Sequence, residues 1–185
     1  MRPRTKPRPP VALTGTPGTG KSTVAALLPP TVRRAEVGEL ARGRRAAQGR
    51  GRELFVDLSR LRRSLAQAPA ELDVLVGHLA HLLPVREAIV LRCRPVELAR
   101  RLARARRGDR AQRQANVVCE ATDAIVAEAL RAGCRVYEID TTGRTPRDVA
   151  LEVARRVDHG GPGRVGTVDW LADPAVTEQL LERAR

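Results

Sequence analysis

Residues Gly15 to Ser22 read GTPGTGKS and fit the spacing G-x-x-x-x-G-K-[ST]. Each residue type in that pattern suits one task. The glycines let backbone N–H groups turn inward on a phosphate without a clashing Cβ. A helix that opens at the end of the loop adds the partial positive charge of its unpaired N–H groups. The Lys21 ammonium can reach terminal phosphates, and the Ser22 hydroxyl is a hard oxygen ligand for Mg²⁺. The chemistry implied is binding and transfer of phosphoryl groups.

Such a loop works only between a strand and a helix. Val11 to Leu13 is a short apolar run that predicts a buried strand. Val24 to Leu28 predicts a helix that stops at Pro29 and Pro30. Further along, Ala35 to Val37, Leu72 to Val76, Ala88 to Leu91 and Arg135 to Ile139 read as strands. Leu54, Leu58, Leu61 and Leu65 recur at helical spacing. Pro95 opens a helix through about Arg104, and Asn116 to Ala132 reads as one long helix ended by Gly133. Thr145-Pro146 is a capped helix start, with Val149, Val153 and Val157 one turn apart. His159 to Gly163 reads as a Gly/Pro linker, followed by Trp170 and a last helix capped by Asp173. Strands alternating with helices imply an α/β fold, a parallel sheet wrapped on both faces. Ligands of such sheets sit at the carboxyl ends of the strands. The glycine loop, Gly77-His78 and Asp140 to Thr142 all follow strands, so they are expected to meet at one edge.

The 185 residues carry a formal net charge of +13, which points to anionic partners such as nucleotides or RNA. Nearly all of the basic residues are arginine, with lysine only at Lys6 and Lys21, and biased codon composition would give the same skew. Met1 to Pro10 holds four prolines and four basic residues and reads as a flexible basic arm. Residues 42–52 are rich in Arg and Gly and read as mobile. Arg104 to Arg113 holds five arginines and one acid. That run fits either a solvated helix face or a lid closing over phosphates. Cys93, Cys119 and Cys134 form no C-x-x-C pair, so neither a disulfide framework nor a zinc site is expected, and the reading is a reducing cytoplasm. No apolar run reaches transmembrane length, and the first residues lack the apolar stretch of a signal peptide.

The chain resembles the archaeal and eukaryotic adenylate kinase isoenzyme 6 family, small P-loop nucleoside monophosphate kinases that also act as ATPases in small ribosomal subunit maturation. The resemblance runs from about Val11 to Val157. It rests on GTPGTGKST (Gly15 to Thr23), EVGELAR (Glu36 to Arg42), VGHLAHLLP (Val76 to Pro84), LRCRP (Leu91 to Pro95), NVVCE (Asn116 to Glu120) and EIDTTGRTP (Glu138 to Pro146). GTVDWL (Gly166 to Leu171) is similar to a tail of some archaeal members. The resemblance implies a three-layer P-loop NTPase fold with a five-stranded parallel sheet and a short lid. It implies a kinase domain over 11–158, with a monophosphate-binding segment at 36–57 and a lid at 106–115. Residues 159–185 would be a linker and C-terminal helix.

By the same resemblance Gly18, Gly20, Lys21, Ser22 and Thr23 hold ATP, Ser22 the Mg²⁺, and Arg42 the monophosphate. A lid arginine closes on ATP, with Arg107 chosen and Arg104 or Arg106 as alternatives. His78 keeps the family's histidine, and residues 140–145 would lie near the adenine. One departure stands out: the family's usual motif has an acid two residues before that histidine, where this chain has Val76. Such an acid orients Mg²⁺ or its water, so weaker catalysis with intact ATP binding is expected. The implied reaction is ATP + AMP = 2 ADP, with ATPase activity. The alternative is a nucleotide-switched assembly factor with little kinase activity, whose partners are a small-subunit ribosomal protein and ribosomal RNA. A monomer or weak dimer without membrane contact is expected.

Overall fold

The computed structural model describes residues 9–49, 54–67, 71–106 and 108–182. Five parallel strands form its central sheet: β1 (Val11–Thr14), β2 (Arg34–Glu36), β5 (Val74–Val76), β6 (Glu87–Arg92) and β7 (Arg135–Asp140). Their spatial order is β2-β5-β1-β6-β7, so β1 lies at the centre. All six residues of β6 are buried, as expected of a strand covered on both faces.

Side chains alternate across the sheet with period two and feed two apolar layers. Ala12, Leu75, Ala88, Val90 and Val136 pack against α2 (Val37–Gly43), α3 (Leu58–Gln67) and α6 (Ala124–Arg131). Leu13, Val74, Val76, Ile89, Leu91 and Ile139 pack against α1 (Lys21–Ala26) and α7 (Pro146–His159). Each fully buried Leu, Ile or Val contributes about 1.5–3 kcal/mol relative to an exposed one. Together these layers hold the carboxyl edge of the sheet in place. The fold is the three-layer P-loop arrangement, with α4 (Pro95–Arg104) and α5 (Arg110–Ala121) beside that edge.

Local chemistry sets the helix starts. The Thr145 hydroxyl accepts from the Asp148 N–H at 3.2 Å, and Pro146 fills the first turn of α7. The Asp109 carboxylate accepts from the Gln112 N–H at 2.7 Å and caps α5.

Several boundaries differ from the sequence reading. The strand expected at Ala35–Val37 is Arg34–Glu36, and Val37 already opens α2. The helix expected from Leu54 starts at Leu58, because Phe55–Val56 (β4) pairs antiparallel with Ala47–Gln48 (β3). That pairing also gives ordered form to part of the 42–52 stretch, of which residues 50–53 lie outside the described residues. The long helix expected over Asn116–Ala132 is two helices. Asp123 takes a left-handed conformation (φ 55°) and its carboxylate pairs with Arg92, which breaks the helix at Thr122–Asp123. Just past the linker expected over His159–Gly163, Arg164 bridges to Tyr137 in parallel and bonds Val136 and Glu138 of β7. Of the flexible arm expected over Met1–Pro10, residues 1–8 lie outside the described residues.

Candidate functional site

β1 delivers the chain into the glycine loop, and α1 starts at Lys21. Gly18 has φ +98°, and a Cβ there would lie 2.8 Å from the Leu98 and Leu102 side chains of α4. Gly20 has φ +100° and caps α1 in the left-handed region, with open space where a side chain would stand. Both positions need glycine, one for packing and both for conformation. The Thr19 hydroxyl donates to the Thr16 carbonyl at 2.9 Å and tightens the loop. The Lys21 ammonium donates to the carbonyls of Gly15 (2.7 Å) and Thr16 (2.8 Å), which holds it along the inside of the loop. Ser22 and Thr23 are exposed on the first turn of α1.

The three strand ends meet, as their positions in the chain predicted. The Gly77 N–H donates to the Leu13 carbonyl at 3.1 Å, which joins the end of β5 to β1. The Thr14 hydroxyl donates to the His78 carbonyl at 3.3 Å. The His78 ring has an exposed edge but is crowded by protein. That crowding pushes its pKa below the ordinary 6.5, helped by the Lys21 ammonium and His81, while Glu128 acts in the opposite direction. His78 and Lys21 are therefore electrostatic neighbours. Immediately after β7, the Thr141 hydroxyl donates to the Arg92 carbonyl at 2.8 Å and lies 3.4 Å from the Thr19 carbonyl.

Arg101 of α4 donates to the Thr141 hydroxyl (3.1 Å) and carbonyl (3.0 Å). It lines a cavity of about 250 Å³ with Thr23, Val24, Thr141, Arg144 and Pro146, immediately beside the glycine loop. A neighbouring cavity of about 430 Å³ lies between Arg94, Arg100, Arg101, Thr142 and Arg144. Arg101 carried no distinguishing signal in the sequence, since it stands in a helix full of arginines. Glu120 is the last residue of NVVCE. Its signal was an acid on the apolar stripe Val117, Glu120, Ala121, all of which are buried.

The remaining candidates divide. Val76 is buried in the apolar layer with Leu13, Val24 and Leu28. Arg42 sits exposed in the last turn of α2. Arg104 and Arg106 are exposed, Arg106 with φ +47°, and Arg107 lies outside the described residues. Arg110 and Arg113 belong to α5, so the second half of the 106–115 segment is helical.

Among the described residues no group of three His, Cys, Asp or Glu could hold a metal. The donors fit a cation that arrives with phosphate oxygens and takes the Ser22 hydroxyl, not a protein cage. The three cysteines are free, and burial pushes the Cys93 thiol up to about 12, which removes it as a nucleophile. No described helix is long and apolar enough to cross a membrane.

Residues 11–123 match the family model described as an AAA domain. The chain is 36% identical to a protein named "Putative adenylate kinase" from Thermococcus onnurineus over 163 residues, 86% of this chain and 90% of that one. It is 40% identical to a protein of the same name from Halobacterium salinarum over 169 residues, 86% of this chain and 96% of that one. A similarly named Archaeoglobus fulgidus protein is 38% identical, with 88% and 92% covered. The crystal structure of TT1252 from Thermus thermophilus superposes with a TM-score of 0.53 at 20% identity, covering 84% of this chain and all of that one. That likeness concerns the fold alone.

Proposed function

The chain belongs to the AAA-domain family of P-loop nucleotide kinases, and from that premise we propose that it transfers the γ-phosphoryl group of MgATP to AMP. The observation that carries this reading is the meeting of Lys21, His78 and Thr141 around one glycine loop, at the carboxyl edge of the sheet.

In this reading the loop N–H groups from Gly18 to Thr23 cradle the phosphates. Lys21 moves from the Gly15 and Thr16 carbonyls to the β and γ oxygens. The Ser22 hydroxyl would hold Mg²⁺, which would supply charge neutralisation when bound with the phosphates. The cavity lined by Arg101, Thr141 and Pro146 takes the adenine end. Arg42 positions the acceptor phosphate. The link between α4 and α5 acts as the lid, with Arg107, or Arg104 or Arg106, on the transferring group. His78 stays neutral beside Lys21, where it can orient water or the acceptor without adding repulsion to the ammonium. Positioning and charge neutralisation do the work, and no general base is required.

The arginine-rich surface supports a second reading, slow ATP hydrolysis coupled to RNA or ribosomal protein binding during small-subunit maturation. A coupled ADP assay separates the two. Purified protein with MgATP is expected to form ADP only slowly until AMP is added. Lys21→Ala is expected to lose about ten- to a hundredfold in turnover with an unchanged circular dichroism spectrum, because one charge-assisted contact to phosphate is gone. Turnover that ignores AMP would overturn the kinase reading. Unchanged turnover in Lys21→Ala would overturn the site.

A further inference from the structure

Glu120 of α5 is 2% exposed, and both of its carboxylate oxygens are occupied. One accepts from the Thr16 hydroxyl of the glycine loop at 2.6 Å. The other accepts from Arg92 Nε (2.9 Å), the Cys93 N–H (3.0 Å) and Trp170 Nε1 (3.2 Å). One buried carboxylate thus joins the loop, the end of β6 and the C-terminal segment.

The chain of bonds continues at both ends. The Thr16 carbonyl accepts from the Lys21 ammonium at 2.8 Å, so Glu120 stands one residue from the catalytic lysine. At the other end, Trp170 packs with Ala121 and Val176 of α8 (Pro174–Glu182). Asp173 accepts from Arg94 Nε at 2.7 Å. The Thr167 N–H donates to Glu138 at 3.1 Å, and Glu138 itself pairs with Arg92. The tail is fastened to the same buried network that holds the loop. A buried ion cluster is a weak source of net stability, because desolvation offsets its attraction. Its distinguishing contribution is the geometry that it imposes on the groups around it.

We propose that Glu120 is a positioning residue for the phosphate-binding loop, and that the C-terminal segment sets the loop's grip on MgATP by docking Trp170 on the same carboxylate. The inference rests on the reading of the loop as an ATP site. With the Trp170 N–H in place, Glu120 is fully coordinated and Thr16 has one position. Without that donor, the carboxylate is free to rotate toward Arg92 and Thr16 loses its fixed partner. Trp170 reaches the loop through this network, by its N–H on Glu120 and its ring 5.9 Å from the Arg92 guanidinium.

Trp170 is the only tryptophan, so the tryptophan emission of the full chain reports on the surroundings of this one ring. MgATP is titrated into wild type, Glu120→Gln and Thr16→Val with emission recorded, and affinities for MgATP and AMP are measured by equilibrium dialysis for these, Trp170→Phe and the Thr16→Val/Trp170→Phe double variant. Wild-type emission is expected to change and to saturate with the dialysis affinity. Thr16→Val and Trp170→Phe are each expected to weaken MgATP about three- to tenfold, the scale of one hydrogen bond, with AMP affinity unchanged. The double variant is expected to lose less than the product, since both act through one carboxylate. Glu120→Gln tests the hub directly, and the other two variants keep the test decisive if it does not fold. Folded Trp170→Phe and Thr16→Val that bind MgATP as tightly as wild type would overturn the inference. Absence of MgATP binding by wild type would overturn the nucleotide reading, and this inference with it.

Discussion

At Val76 a single side chain separates this protein from the motif it resembles. It closes β5 beside the Leu13 and Glu36 registers, and it is 1% exposed within the apolar layer that includes Val24 and Leu28. A carboxylate placed there would face hydrocarbon unless a cation lay nearby. If the end of β5 is next to the Mg²⁺ position, Val76→Glu restores an orienting ligand that acts in the transition state. Turnover is then expected to rise about tenfold, equivalent to about 1.4 kcal/mol of barrier, with ATP affinity little changed. Thermal stability is expected to fall without Mg²⁺ and to recover with MgATP. Kinetics and melting curves with and without the cation check both statements. No recovery and no gain in turnover would place Val76 away from the metal.

The lid prediction belongs at the scale of the elements. α4 and α5 are joined by a short turn in which Arg106 (φ +47°) and Gly108 (φ +66°) are both left-handed. Arg113 donates to the Gly108 carbonyl at 2.6 Å, and Asp109 caps α5, so the turn is held at its C-terminal side. Arg106, exposed in that turn, follows directly from the end of α4. Neutralising Arg106 and Arg107 together is expected to lower kcat more than it weakens ATP binding, because such charges act mainly on the closed, reacting state. Steady-state kinetics alongside dialysis measure the split. A loss of RNA affinity with turnover untouched would make this run an RNA contact instead.

At the scale of the whole molecule, buried polar networks join the sheet to its surrounding helices among the described residues, and two of them carry predictions. Arg92 is 1% exposed and pairs with Glu120, Glu138 and Asp123, which ties β6 to α5, β7 and the start of α6. Arg92→Ala would strand the Glu120 and Glu138 carboxylates in the interior, at a cost of about 3–5 kcal/mol, a large share of an ordinary domain's stability. Denaturant unfolding is expected to show that loss, or the variant will not accumulate as folded protein. The second network is His81, fully buried, with Nδ1 3.0 Å from the Thr14 hydroxyl and Nε2 3.3 Å from the Glu128 carboxylate. The Nε2 contact lacks hydrogen-bond geometry. Burial lowers the His81 pKa below 6.5, and Glu128 only partly offsets it. The unfolded chain therefore takes up the proton more readily than the folded one. The histidine's contribution is complete above its ordinary pKa and is lost as pH falls toward the lower folded value. The melting temperature is expected to drop between about pH 7 and pH 5, and His81→Gln is expected to flatten that slope. Identical slopes for the two proteins would exclude His81 as the titrating group.

What the chain determined by itself was whatever depends on neighbours close in sequence. The glycine loop, its flanking strand and helix, the cap at Thr145, and the β–α alternation that places three strand ends together were all legible, because spacing and local bonding decide them. The break at Asp123 was not legible. Nothing between Asn116 and Ala132 forbids a continuous helix, and only the arrival of Arg92 from β6 rewards the left-handed turn. The short β3–β4 hairpin was hidden for a similar reason, since Leu54 also satisfies helical spacing and pairing across residues 47–56 outcompetes it. Glu120 shows the limit most clearly. Its partners Thr16, Arg92 and Trp170 lie 104, 28 and 50 residues away along the chain. Periodicity can mark a buried acid as unusual, but only the packed sheet brings together the donors that make it stable.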